Sequence, residues 1–243
     1  MKTEDFFSEL AKIASSNEYK FQDLRERIPL GIDGSGRIAL SVNEELKEGR
    51  KNAFGHTCVT GIGKTDFIRR LILTLAGVYQ AEEVAFLIVS PKREYGELLA
   101  LKSADVFAPV ITNLDELWKV FTFVRGQLEM RKNARNLPFR KVFLVLDGLE
   151  LLSKGSLEVY LPFFKVATDG GAEVVTGVDL IQSAFARAPE NFVGEENALI
   201  TVMSVGEGNI SYVDRDCALS LPKSFSYPEE TEFCDAIALV NKL

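Results

Sequence analysis

Histidine, paired cysteine and long apolar runs are scarce or missing in this chain, and each scarcity removes a class of function. One histidine, His56, stands among 243 residues, which excludes a multi-histidine metal centre. Its position reads as the edge of a strand leading to a glycine turn. Cys58, Cys217 and Cys234 are an odd, unclustered set whose spacing suits neither a disulfide framework nor a zinc site. No apolar run approaches the length needed to cross a bilayer. The opening MKTEDFFSEL lacks the basic-then-apolar pattern of a signal peptide. A cytoplasmic chain with reduced thiols is the expectation. Positive charge is also short: the net charge of −7 argues against a general basic coat for nucleic acid, while leaving room for a local basic patch or a basic pore lining in an oligomer. There is no internal repeat and no low-complexity tract.

What is present is organised around His56 to Arg70, HTCVTGIGKTDFIRR. His56 to Thr60 reads as a strand, Gly61-Ile62-Gly63 as a turn, and Lys64-Thr65 as the start of a helix. Phe67, Ile68, Leu71, Ile72, Leu75 and Ala76 follow at helical spacing. A strand, a glycine turn and Gly-Lys-Thr at a helix start make a phosphate cradle. Glycines let backbone N–H groups approach phosphate oxygens, the lysine reaches the terminal phosphates and the threonine hydroxyl holds magnesium. The full pattern is G-x-x-x-x-G-K-[ST], and counting back from Gly63 puts its first glycine on Cys58. Taking Gly61 as the first glycine keeps the strand but leaves Ile62 alone where four residues are expected. Such a loop has too few N–H donors to wrap a β-phosphate. A ligand-free Gly-x-Gly turn is the competing reading.

Residues 1–27 form an N-terminal helical segment in this reading, with Phe6, Phe7, Leu10 and Ile13 on one face and Phe21 and Leu24 after a break. Residues 28–243 form the main domain. Ile28 to Asp33, a Gly34-Ser35-Gly36 turn and Arg37 to Val42 predict a hairpin. Glu83 to Ser90 and Lys141 to Asp147 are apolar runs suited to strands buried on both faces. Val106 to Ile111, Ala172 to Gly177, Ala198 to Val205 and Ile210 to Val213 are further strands. Asn113 with Glu116 marks a helix start for Leu117 to Leu128. Val159 to Val166 and Phe233 to Leu243 are also expected to be helical. Strands alternating with helices predict an α/β fold with a mainly parallel sheet.

Asp147 falls at the carboxyl end of its strand, where ligands of such sheets bind, and suits an acid of the magnesium shell beside Thr65. With both halves in view, residues 28 to 205 resemble the motor domain of the FtsK/SpoIIIE family, including the type VII secretion EssC/EccC branch. The resemblance rests on Ile28 to Asp33 as the lead-in, His56 to Thr65 as the Walker A strand and loop, and Pro91-Lys92 with Glu97-Leu98 as the proline-lysine segment. Pro109 to Thr112 and the Walker B strand Val142 to Asp147 complete it. It implies a RecA-like P-loop NTPase of three layers, with Gly61, Ile62, Gly63, Lys64 and Thr65 binding ATP, Thr65 and Asp147 holding Mg2+, and Lys64 and Asp147 as catalytic residues. It also implies DNA or a secreted polypeptide as the translocated partner, and a homo-oligomer or a neighbouring ATPase domain as the assembly.

The departures from the family pattern lie at the chemistry. Gly148 stands where a catalytic glutamate commonly follows the acid, and the nearest acid, Glu150, reads as a solvent-facing turn residue. Where the family carries an ATQRP-like segment with a γ-phosphate-sensing glutamine, this chain has Val175-Thr176-Gly177-Val178-Asp179. A degenerate relative with weak or no ATP turnover is therefore expected, with an active DNA or protein translocase as the alternative. A basic cluster, Arg131, Lys132, Arg135, Arg140 and Lys141, reads either as a phosphate-backbone contact or as a solvated helix end whose cations complement the helix dipole.

Overall fold

A computed structural model describes residues 29–32, 38–40, 56–79, 81–90, 94–102, 104–106, 114–133, 140–148, 173–177, 198–206, 209–214, 223–226, 237–238 and 241. The expected helices at 1–27 and 159–166, Arg135 and Glu150 lie outside these residues, as does most of 233–243. The described strands are β1 (Pro29–Ile32), β2 (Ile38–Leu40), β3 (His56–Ile62), β4 (Val84–Val89), β5 (Ala104–Val106), β6 (Lys141–Asp147), β7 (Glu173–Gly177), β8 (Ala198–Gly206), β9 (Asn209–Asp214) and β10 (Lys223–Ser226). The helices are α1 (Lys64–Val78), α2 (Leu114–Asn133) and a 3-10 helix, η1 (Gly96–Ala100).

The strands join in one sheet of order β2-β1-β10-β9-β8-β3-β7-β6-β4-β5. From β8 to β5 all neighbours are parallel, and from β8 outward to β2 all are antiparallel. The strand following α1, β4, lies three places to one side of β3, whereas β6, following α2, lies two places back from β5. Right-handed crossovers in opposite directions put the two helices on opposite faces of the sheet. Such cover explains why every residue of β4, and Val142 to Asp147 of β6, is buried. The fold is that of a P-loop ATPase domain: α/β, with a parallel core that separates the Walker A strand β3 from the Walker B strand β6 by one strand, β7.

Packing follows from the apolar runs. Phe86 and Phe143 are register partners on β4 and β6, and their rings stack at 5.4 Å. Tyr79, just beyond α1, meets Phe143 edge-on at 6.1 Å. Burial of a side chain of this size contributes about 1.5–3 kcal/mol. From α1, Phe67, Ile68, Leu71, Ile72, Leu75 and Ala76 are buried, as the spacing of three and four requires. From α2, Val120, Phe121, Val124 and Leu128 are buried on the same principle.

Three elements differ from the reading of the sequence. β3 does not stop at Thr60 but pairs with β8 through Gly61↔Val202 and Ile62↔Met203. β8 runs long enough to offer ladder partners there, so the turn shrinks from Gly61-Ile62-Gly63 to Gly63 alone. β5 spans Ala104–Val106, in register with Phe86 to Ile88, while residues 107–111 of the expected strand lie outside the described residues. β10 was not anticipated: Lys223-Ser224-Phe225-Ser226 has one apolar side chain, and its antiparallel ladder to β9 defines it.

Candidate nucleotide and magnesium site

Two glycines shape the junction between β3 and α1. Gly61 takes φ 99° and Gly63 φ 89°, left-handed values that strain any residue bearing a Cβ. Gly63 is the N-cap of α1, and its carbonyl accepts the first helical hydrogen bond from the Phe67 N–H at 2.9 Å. No side chain caps this helix start, so the N–H groups of its first turn are left for another acceptor. Ile62, at the end of β3, is 74% exposed.

Gly63, Lys64, Thr65, Asp66, Arg69 and Glu94 line a cavity of about 300 Å³ over the helix start. Its charges are mixed. Lys64 and Arg69 suit phosphate, whereas Asp66 and Glu94 oppose it. Arg69 is largely buried and pairs with Asp66 at 3.4 Å and with Glu97 of η1. Arg70 reaches the other oxygen of Asp66 at 3.9 Å. The first turn of α1 is thereby tied to the segment after β4.

The register across the sheet sets Asp147 level with Gly177, and Gly177 level with Val59. Asp147 thus reaches the helix start from the far side of β7. The Thr65 hydroxyl donates to Asp147 Oδ2 at 2.7 Å. The Tyr95 hydroxyl donates to the same oxygen at 3.0 Å. Asp147 is fully buried, and among the described residues its Oδ1 has no hydrogen-bond partner. Burial, followed by the negative charge of Asp147, holds the Tyr95 phenol well above its ordinary pKa, so it is a neutral donor at physiological pH. Gly177 makes the arrangement sterically possible, since a Cβ there would lie 2.1 Å from Asp147 Oδ1 and 2.9 Å from Ile68 Cδ1. Gly148 follows the acid with φ 80° and donates its N–H to the Gly177 carbonyl at 3.1 Å.

The sequence motifs named Lys64, Thr65 and Asp147, and the fold joins Thr65 to Asp147 directly while Lys64 lines the adjoining cavity. Gly61 and Ile62 belong to β3. Arg131 and Lys132 stand in the last turn of α2, and Arg140 and Lys141 at the start of β6. That end of β6 is about 20 Å of strand away from Asp147, so Arg140 and Lys141 are no part of this site. Tyr95, Gly177, Arg69 and Glu94 belong to the site without being marked as site residues by the sequence motifs. Tyr95 sits within the proline-lysine segment already noted, two residues before Glu97, and that was the available signal. Among the described residues no group of three His, Cys, Asp or Glu is placed to hold a metal. Magnesium asks for less: it takes one or two protein oxygens and completes its shell with waters and phosphates. A threonine hydroxyl against a buried carboxylate fits that demand through Oδ2, since Oδ1 is turned towards β7 at Gly177.

A strand-turn-helix cradle facing a Thr–Asp pair across one intervening strand defines the P-loop ATPase class. The model of the FtsK/SpoIIIE family matches residues 9–144, more than half of the chain, and the chain belongs to that family. Over 150 residues, 60% of the chain, it is 31% identical to the type VII secretion system protein EssC of Staphylococcus aureus strain NCTC 8325. Over 96 residues, 38% of the chain, it is 31% identical to the ESX secretion system protein EccC of Thermomonospora curvata. These matches span 10% and 7% of the two relatives, so the chain corresponds to a small part of their length. In fold it resembles the cytoplasmic domain of the T. curvata type VII secretion ATPase EccC, with TM-score 0.64 at 18% identity, covering 99% of this chain and 34% of that one. The cytoplasmic domain of EssC gives TM-score 0.60 at 13% identity over 89% of this chain and 48% of that one. T. curvata EccC (ATPases 2 and 3), solved in complex with a signal sequence peptide, gives 0.58 at 16% identity, covering 84% of this chain and 41% of that one.

Proposed function

We propose that this is an ATPase-like module of the FtsK/SpoIIIE type that engages magnesium-nucleotide weakly and turns it over slowly or not at all. One observation carries the reading: β3 stays in its ladder through Ile62, and a single residue, Gly63, separates it from α1. No arch of backbone is left to encircle a β-phosphate. Lys64 and the N–H groups of the α1 start remain to meet phosphate, and Thr65 with Asp147 would hold Mg2+. Bound there, magnesium supplies positive charge against the phosphate oxygens. Three features support low turnover: the glutamate position is Gly148, the glutamine segment is replaced around Gly177, and Asp66 and Glu94 face the cavity. Positioning and charge stabilisation make up nearly all of phosphoryl-transfer catalysis, and these are the parts reduced. Titration calorimetry with magnesium-ATP is expected to give a Kd of about 0.1–1 mM, weakened further by Lys64→Ala. Nanomolar binding, or binding indifferent to Lys64→Ala, contradicts this reading.

The Thr65–Asp147 contact favours a second reading, an active translocase working as an oligomeric ring on DNA or on a secreted polypeptide. The signal-peptide complex of the EccC neighbour supports the polypeptide version. A cytoplasmic location suits both readings; among the described residues no helix is long and apolar enough to cross a membrane. For DNA, the expectation is weak, salt-sensitive and sequence-independent binding, because the net charge is −7 and the sequence carries a single basic cluster, Arg131 to Lys141. Fluorescence anisotropy at two salt concentrations measures this, and tight binding that survives high salt promotes the motor reading.

A further inference from the structure

We propose that Tyr95 gates the magnesium site: its hydroxyl holds the place on Asp147 that a magnesium-bound water must take. The inference rests on reading Thr65 and Asp147 as the magnesium pair and adds a residue that controls access to it. A carboxylate oxygen offers two lone-pair positions. On Asp147 Oδ2 one is taken by Thr65 at 2.7 Å and the other by Tyr95 at 3.0 Å. The other oxygen, Oδ1, faces the backbone of β7 at Gly177, so closely that a Cβ there would fall 2.1 Å from it. A threonine hydroxyl can donate to the acid and still offer a lone pair to a metal. A phenol donating to Oδ2 leaves no room there for the hydrogen of a metal-bound water.

The gate is not a loose side chain. Tyr95 is 3% exposed, and its carbonyl accepts from the Leu98 N–H at 3.1 Å at the start of η1. Leu98 is itself fully buried. Glu97 on the same short helix holds Arg69, which lines the cavity. The segment is therefore attached to the site at two points, Tyr95 on the acid and Glu97 on the cation. At its far end Asn241 fixes it again, donating to the Ala100 carbonyl at 2.7 Å and accepting from the Lys102 N–H at 3.1 Å. Loading magnesium through water on Asp147 requires Tyr95 to withdraw and η1 to loosen.

Tyr95→Phe removes the hydroxyl and keeps the ring. Mn2+ serves as the probe, with free ion counted by electron paramagnetic resonance on the whole chain without nucleotide. The variant should bind Mn2+ about tenfold more tightly than the wild type, on the scale of one charge-assisted hydrogen bond. Equal or weaker binding, or no binding in either protein, overturns the gate. Asp147→Asn in the Tyr95→Phe background separates the two readings. Loss of Mn2+ binding is expected, whereas unchanged binding shows that the metal site itself has been misassigned. Should Tyr95→Phe fail to fold, hydrogen exchange on the wild-type chain carries the test. Saturating Mg2+ should speed exchange of the Leu98 and Leu101 amides, now held by the Tyr95 and Leu98 carbonyls, and unchanged or slower exchange overturns the proposal.

Discussion

Gly177→Ala is expected to lower the melting temperature by about 5–10 °C, the result of roughly 2–3 kcal/mol of overpacking in a domain of this size. The added methyl would stand 2.1 Å from Asp147 Oδ1, 2.8 Å from its Cγ and 2.9 Å from Ile68 Cδ1. Neither neighbour yields easily. Ile68 is fully buried on α1, and Asp147 is fully buried on β6. Swinging the carboxylate aside sacrifices the hydrogen bond from Thr65 or that from Tyr95 and leaves a buried charge with fewer donors. Moving β7 instead strains its ladders to β3 and β6. Differential scanning calorimetry on the two proteins gives the answer, and a melting temperature within a degree of wild type would show that the sheet absorbs the methyl.

Steady-state phosphate release from magnesium-ATP is expected at or near background for the wild-type chain, and Gly148→Glu alone is expected not to restore it. The fold strengthens the second half of that expectation. Gly148 has φ 80°, where an L side chain costs about 1–2 kcal/mol. Its N–H is also committed to the Gly177 carbonyl. A glutamate installed there pays in stability before it can orient a water. Even well placed, it would face a γ-phosphate that the one-residue turn at Gly63 does not hold in line. Lengthening the turn by three residues together with Gly148→Glu is the more demanding rescue, and nucleotide binding should return before turnover. A range of protein concentrations covers the case in which a neighbouring subunit completes the site, and Lys64→Ala serves as the blank. A robust wild-type rate abolished by Lys64→Ala puts the motor reading first.

The legible parts of this chain are those set by local sequence. β4 and β6 are continuous apolar runs, α1 has an unbroken spacing of three and four, and Gly63-Lys64-Thr65 announces a strand-to-helix junction. The end of β3 was harder, because glycine reads as a turn unless one knows that β8 is long enough to pair with it through Met203. β10 is illegible in the sequence for a related reason: a strand of Lys, Ser, Phe and Ser exists by virtue of the β9 ladder. In the site, Thr65 and Asp147 follow from motifs. Tyr95 and Gly177 depend on register, on which residue of β7 lies beside Asp147 and on where the chain returns after β4. Thr176-Gly177 reads in sequence as a missing glutamine segment, whereas in the fold Gly177 makes space for the acid.

The described sheet is ten strands wide, and the described stretch of each border strand is very short. β2 and β5 are three residues each. A broad sheet with a long open border invites another copy to continue its hydrogen-bond ladder, and from there fibres grow. Three residues offer an incoming strand little to grip, so edge-to-edge stacking gains few bonds for the order it imposes. The practical consequence is colloidal: along the described stretches of β2 and β5, crowded copies share few ladder bonds.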